Sequence, residues 1–202
     1  PLTVADCPAE FPNCQPLLAA APLAAVAAAE GEVELVNVDY RHLSTVTAAL
    51  HEAGCQIRGE EGRIILRSRG PLRAIGAIRT SPYPGFPTDA QAPFTTLVCI
   101  AKGTSVIVEN IFESRFKHIP ELIRMGAKIR MEGRVAVIDG VERLYGAEVV
   151  SPDLRGGASL VLAGLCADGI TTVKNTKFID RGYEDFENNL SMLNADVRRK
   201  AN

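Results

Sequence analysis

A chain of 202 residues with 47% apolar and 23% charged side chains has the composition of a soluble globular protein able to bury a sizeable core. A net charge of −2, 5% aromatics and no Trp supply neither a basic field nor stacking platforms, so nucleic acid is not an expected partner. Five cysteines without a C-x-x-C pair and three scattered histidines form no zinc or disulfide pattern. No metal is expected, and Cys7, Cys14, Cys55, Cys99 and Cys166 read as reduced thiols. The longest apolar run, over 17–29, is too short for a bilayer and contains Pro22, while 1–16 lacks the basic residues of a signal peptide. No membrane partner is expected and the chain reads as cytoplasmic. Its start at Pro1 rather than Met reads as a piece of something longer.

In chain order, the first predicted element is an Ala-rich helix over 17–30 that stops at Gly31. Similar apolar helices are predicted over 89–102, stopping at Gly103, and over 153–168, stopping at Gly169. Each Gly stands where a helix C′ residue turns left-handed. Apolar on nearly every side, these helices are expected inside. A short strand follows each Gly, over 31–38, 103–110 and 169–175. A second, amphipathic helix comes next, with Leu43, Val46 and Leu50 on its inner face in the first copy. Ile119, Leu122 and Ile123 take that face in the second copy, and Phe186, Leu190 and Leu193 in the third. These helices end in Ala53-Gly54-Cys55, Met125-Gly126-Ala127 and Leu193-Asn194-Ala195, and Gly31 to Gly54 and Gly103 to Gly126 both span 23 residues.

Strands over 63–68 and 135–139 close the first two copies, and Pro-rich connectors over 81–87 and 151–152 lead onward. The fold class is therefore α/β, a threefold repeat of helix–strand–helix–strand–strand units at about 17–80, 87–150 and 153–202, with buried helices inside and sheets outside. The third copy stops at Asn202 without its closing strands, which are expected from elsewhere in a longer chain.

Four strings carry a resemblance: Pro-Tyr-Pro-Gly-Phe-Pro-Thr-Asp-Ala-Gln over 82–91, Ile-Phe-Glu-Ser-Arg-Phe over 111–116, Asp-Leu-Arg-Gly-Gly-Ala-Ser-Leu-Val-Leu-Ala-Gly over 153–164, and Ile-Asp-Arg-Gly-Tyr-Glu over 179–184. Together they resemble the carboxy-terminal half of the UDP-N-acetylglucosamine enolpyruvyl transferase family, from about Glu30 onward. Segment 1–29 matches poorly, with Asn13-Cys14-Gln15-Pro16 where the family has an acidic-Thr-Gly entry to the first helix. The resemblance implies an inside-out α/β barrel for 30–202 and a second, amino-terminal domain that this chain lacks, with the active site in the cleft between them. It implies transfer of enolpyruvate from phosphoenolpyruvate to a hydroxyl of UDP-N-acetylglucosamine, the first committed step of peptidoglycan synthesis, with no cofactor. Those two substrates and the amino-terminal domain are the expected partners, and the uncovered cleft face is expected to favour self-association.

By resemblance, Asp89 contacts the attacking sugar hydroxyl and suits a general base; on its own it reads as a helix cap at Thr88-Asp89. Arg115 and Arg181 each open the amphipathic helix of a unit, where a guanidinium fork suits phosphate or carboxylate. The family match makes Arg181 a clamp on phosphoenolpyruvate. Asp153 and Arg155 share the start of the third buried helix, as a cap with a local ion pair or as groups near the developing charge. Ile111 matches a position whose backbone meets the nucleotide sugar, and otherwise reads as strand packing. Pro93 is expected within the first helical turn, where its missing N–H is harmless. The family's proton-donating Cys lies in the other domain, so the chain alone is expected to be inactive. Alternatives left open are the sister transferase acting on shikimate phosphate, a non-catalytic binding module, and an RNA-processing enzyme of related architecture.

Overall fold

The structure, a computed structural model, describes residues 2–4, 21–24, 27–28, 31–183 and 185–200. Cys7, Cys14, Glu184 and most of segment 1–29 lie outside the described residues. The architecture is mixed α/β, and among the described residues every sheet is open. One sheet has the order β1-β2-β4-β3, built from β1 (Leu2–Val4), β2 (Glu32–Val36), β3 (Gln56–Glu60) and β4 (Arg63–Arg67). The other has the order β5-β6-β8-β7, from β5 (Ala77–Arg79), β6 (Thr104–Val108), β7 (Lys128–Glu132) and β8 (Val135–Asp139). Their pairings match: β1 and β5 run parallel to β2 and β6, and each of those pairs antiparallel with a hairpin strand. Two short sheets follow, pairing β9 (Leu144–Tyr145) with β11 (Ala167–Asp168) and β10 (Glu148–Val150) with β12 (Thr172–Lys174), both parallel. Among the described residues β12 pairs only with β10.

Five labelled α-helices accompany these strands: α1 (Ser44–Glu52), α2 (Thr88–Cys99), α3 (Ile119–Arg124), α4 (Leu154–Leu165) and α5 (Phe186–Met192). Residues 21–24 and 27–28 are also helical, with Ala21, Leu23, Ala24 and Ala27 buried. In α2 every residue from Ala90 to Cys99 is buried, and α4 buries Gly156 through Leu160. The two lie side by side, tied by the Thr96 hydroxyl donating to the Ser159 carbonyl at 3.1 Å. On another side of α4, a Cβ on Gly157 would strike the Ser151 side chain and Ile179, so that close contact needs Gly.

The apolar helices end earlier than the glycines suggest. Helix α2 stops at Cys99 and α4 at Leu165, with Ile100 and Cys166 as C-caps. A neighbouring loop takes over the α2 terminus, where Val141 N–H donates to the Cys99 carbonyl at 2.7 Å. Gly103 and Gly169 do have positive φ (112° and 97°), but in the turns beyond the helices.

The left-handed cap instead closes the amphipathic helices, three times in the same form. Gly54, Gly126 and Asn194 have φ of 105°, 97° and 62°. Their N–H groups donate to His51, Ile123 and Ser191, and the next N–H reaches back to Leu50, Leu122 and Leu190. This is the paired 5→2 and 6→1 bonding that satisfies orphan carbonyls at a helix end. On the inner faces Leu43, Val46, Leu50, Ile119, Leu122, Phe186 and Leu190 are buried as expected. Ile123, by contrast, is 46% exposed, because short α3 buries only Ile119 and Leu122.

Gly126→Ala should lower unfolding stability by about 1–2 kcal/mol, since its φ suits only Gly and the new Cβ would stand 3.1 Å from Tyr145. Asn194→Gly, at a position that already turns left-handed, should stay within about 0.5 kcal/mol of the parent. Urea titration of both variants checks this pair.

Candidate active site

Helices α2 and α4 bring their amino-termini to the same end of the molecule, and one carboxylate joins them. Asp89 Oδ1 accepts from Arg155 Nε at 2.6 Å across 66 residues of sequence. A second guanidinium, that of Arg115, stands 3.6 Å from the same oxygen. Two cations thus share one carboxylate, at a place where unpaired helix N–H groups already favour anions.

Capping divides differently from the sequence expectation. The α2 N-cap is Pro87 and has no side-chain cap, because Thr88 donates its hydroxyl to Glu109 and Asp89 turns to the arginines. Asp153 does cap α4, accepting from Gly156 N–H at 2.8 Å, but its neighbour Arg155 pairs with Asp89 rather than with it. Pro93 lies at the sixth position of α2, beyond the first turn, so it offers no N–H to the Asp89 carbonyl four residues earlier.

Arg115 stands in the turn ahead of α3, not on the helix. Its guanidinium lies over the Phe112 ring at 4.2 Å and is largely covered, at 16% side-chain exposure. Burial, and then the charge of Arg155, push its pKa down from the ordinary value, while Asp89, Asp153 and Glu109 oppose that shift. Ile111, Phe112, Glu113, Ser114, Arg115 and Asp153 line an open depression of about 500 Å³.

Arg181 is exposed and makes no ion pair with a described residue. Its loop reaches the same end of the molecule, since Gly182 packs closely on Leu154 at the start of α4. Tyr183, two residues on, is buried, and its hydroxyl pKa is pushed up by burial and then by Asp89. The structure therefore gathers Asp89, Ile111, Arg115, Asp153 and Arg155, and sets Arg181 beside them without a partner among the described residues.

Sequence reading missed two buried polar groups. Glu109 is 1% exposed and accepts four hydrogen bonds under the depression. Its available signal is phase, because Ser105, Ile107 and Glu109 are alternate residues and all buried. His118 is fully buried against the α4 start, where its Cβ lies 3.1 Å from the place a Gly156 Cβ would occupy, and neither ring nitrogen has a well-formed hydrogen bond. No sequence period separates it from a surface residue of the same turn.

The thiols are of another kind. Burial pushes Cys99 up to about 12 and Cys166 up to about 11, and Cys55 also upward, so all three are protonated near neutrality. All three are free cysteines. No group of His, Cys, Asp and Glu able to hold a metal occurs among the described residues, and none of their helices is long and apolar enough to cross a membrane.

Comparison with known proteins gives the family. The family model for EPSP synthase (3-phosphoshikimate 1-carboxyvinyltransferase) matches residues 16–190. The UDP-N-acetylglucosamine 1-carboxyvinyltransferase of Desulfofundulus thermocisternus is 54% identical over 88% of this chain and 72% of its own length. That of Clostridium botulinum is 48% identical over 87% of this chain and 42% of its own. Among solved structures, the enolpyruvyl transferase NikO from Streptomyces tendae superposes with a TM-score of 0.82 at 26% identity, over 91% of this chain and 43% of that one. The chain thus spans about two-fifths of the length of most of the relatives it matches.

A mixed α/β chain with arginines converging on a carboxylate at two helix N-termini is of the enolpyruvyl transferase type. Within that class the chain belongs to the EPSP synthase (3-phosphoshikimate 1-carboxyvinyltransferase) family, in the branch of the UDP-N-acetylglucosamine 1-carboxyvinyltransferases.

Stability should fall with acid in a window set by His118. Burial lowers its pKa from 6.5 to about 4, against the opposing charge of Asp153. The unfolded chain therefore binds more protons between those values, and stability present above pH 6.5 is lost as pH falls towards 4. The expected loss is on the order of 2–3 kcal/mol, and His118→Leu should flatten the dependence. Urea midpoints at pH 7, 5.5 and 4.5 measure it.

Proposed function

We propose that this chain supplies the carboxy-terminal part of the active site of a UDP-N-acetylglucosamine 1-carboxyvinyltransferase. The reaction moves enolpyruvate from phosphoenolpyruvate to the sugar 3-hydroxyl of UDP-N-acetylglucosamine and releases phosphate. The observation that carries the reading is the Asp89–Arg155 contact at 2.6 Å, with Arg115 on the same oxygen, in a chain 54% identical to a protein of that name.

In this reading the anionic substrates take over the guanidinium groups of Arg155 and Arg115, which suit phosphate and carboxylate oxygens. Asp89, released from Arg155, accepts the proton of the sugar hydroxyl as its oxygen attacks C2 of phosphoenolpyruvate. C3 gains a proton from an acid that this reading places in the amino-terminal domain; Cys99, buried at the far end of α2 from Asp89, is not placed to supply it. The C2–phosphate bond then breaks, C3 gives up a proton, and the double bond re-forms on the sugar-linked product. Arg181, exposed beside this cluster, closes on phosphoenolpyruvate, and the 110–115 turn meets the nucleotide sugar through Ile111 and Arg115.

The wider frame belongs to the same proposal. Residues 30–202 form a domain of three repeated units, an inside-out α/β barrel with buried helices inside. The recurrent left-handed caps and the three parallel pairs β1/β2, β5/β6 and β10/β12 support that reading. A second, amino-terminal domain faces the helix N-termini and completes the site, in a cytoplasmic enzyme of peptidoglycan synthesis. Without that domain the exposed face favours association between copies.

Phosphate release from phosphoenolpyruvate and UDP-N-acetylglucosamine, measured with a second domain supplied, tests the reading. Activity is expected in the mixture and not from the chain alone. Asp89→Ala should lower kcat by about 10²-fold or more. Activity unchanged by that substitution would contradict the role given to Asp89, and a folded mixture with no turnover would point to a binding module.

A further inference from the structure

Every polar contact of the Glu109 side chain is with a donor. Oε1 accepts from the Thr80 hydroxyl at 2.9 Å, from Ile111 N–H at 2.8 Å and from Phe112 N–H at 3.0 Å. Oε2 accepts from the Thr88 hydroxyl at 2.9 Å. The Thr80 hydroxyl in turn accepts from Asn110 N–H at 2.8 Å, so three successive backbone N–H groups of the turn are held by this pair. The main chain of Glu109 is itself fixed, its N–H donating to the Arg134 carbonyl at 2.9 Å.

A buried carboxylate is costly unless its oxygens are satisfied, and here both are. The partners come from three places: the residue after β5, the first residue of α2, and the turn over 110–115. That turn carries Ile111 and Arg115 and lines most of the depression. Thr88 immediately precedes Asp89. Glu109 therefore spans the two walls of the site while touching neither the depression nor Asp89.

We propose that Glu109 is a positioning residue for the sugar-nucleotide side of the site, holding the 110–115 turn at a set distance from the start of α2. The proposal rests on the transferase reading above. With the tie removed, the turn must be ordered by the incoming UDP-sugar, and the cost falls on binding that substrate rather than on the chemical step.

Steady-state kinetics with the second domain supplied, each substrate varied in turn, test this. Glu109→Ala should raise KM for UDP-N-acetylglucosamine by about tenfold or more, while KM for phosphoenolpyruvate and kcat move less than about threefold. Glu109→Gln, which keeps an oxygen for the Ile111 and Phe112 N–H groups, should recover most of the loss. An unmoved UDP-sugar KM in folded Glu109→Ala, or equal losses for both substrates, overturns the proposal. If Glu109→Ala does not fold, Thr80→Val replaces it, since it removes the hydroxyl that joins Glu109 to Asn110. The same KM should rise there, and an unchanged value overturns the proposal. A parent protein with no turnover sinks the transferase reading and this proposal together, whereas an active parent with an unmoved KM in the variants sinks this proposal alone.

Discussion

The arrangement depends on one ion pair, Asp89 with Arg155, between the first turns of two helices that otherwise pack side by side in the core. Helix α2 lies in the core from Ala90 onward, and α4 presents Gly156, Gly157, Ala158 and Ser159 to its surroundings. Such packing fixes the helix axes and leaves their amino-termini as the place where charge can accumulate. Buried Thr80 and Glu109, with half-buried Thr88, then tie the 110–115 turn to that end, and Arg115 completes a carboxylate flanked by two cations.

Stability and chemistry are divided between the two ends of the elements. Hairpins, left-handed caps and the β-ladders satisfy backbone groups away from the site, as in the three bonded turns at Gly54, Gly126 and Asn194. At the site end satisfaction is incomplete. Pro93 withholds an N–H from the Asp89 carbonyl, Arg115 Nε has no partner, and His118 is buried without a well-formed hydrogen bond. Groups left in that condition gain most from an incoming polar ligand or a covering domain, which fits the anionic substrates proposed for this face.

Much of this was legible in the sequence. Apolar runs located the core helices, and the turns at Gly54, Gly126 and Asn194 were recognisable because a left-handed cap needs Gly or Asn. Where those runs ended was misread, because Gly103 and Gly169 serve the following turns and a loop N–H closes α2 at Cys99. The site strings single out Asp89, Ile111, Arg115, Asp153, Arg155 and Arg181, and the structure brings the first five together. Sequence could not assign the pairing of Arg155 with Asp89 over Asp153, because that choice follows from how α2 and α4 pack. Glu109 escaped for a similar reason: its importance lies in partners 21 and 29 residues away.

The most direct test is a structure of the protein with its second domain and UDP-N-acetylglucosamine bound, read for the distance between Asp89 Oδ1 and Arg155 Nε. It is 2.6 Å in this structure. The expected result is that the contact opens, with the sugar 3-hydroxyl within hydrogen-bond reach of Asp89 and an anionic group on Arg155 or Arg115. A ligand bound elsewhere, with the ion pair still closed, would contradict the assignment of this end of α2 and α4 as the reacting site.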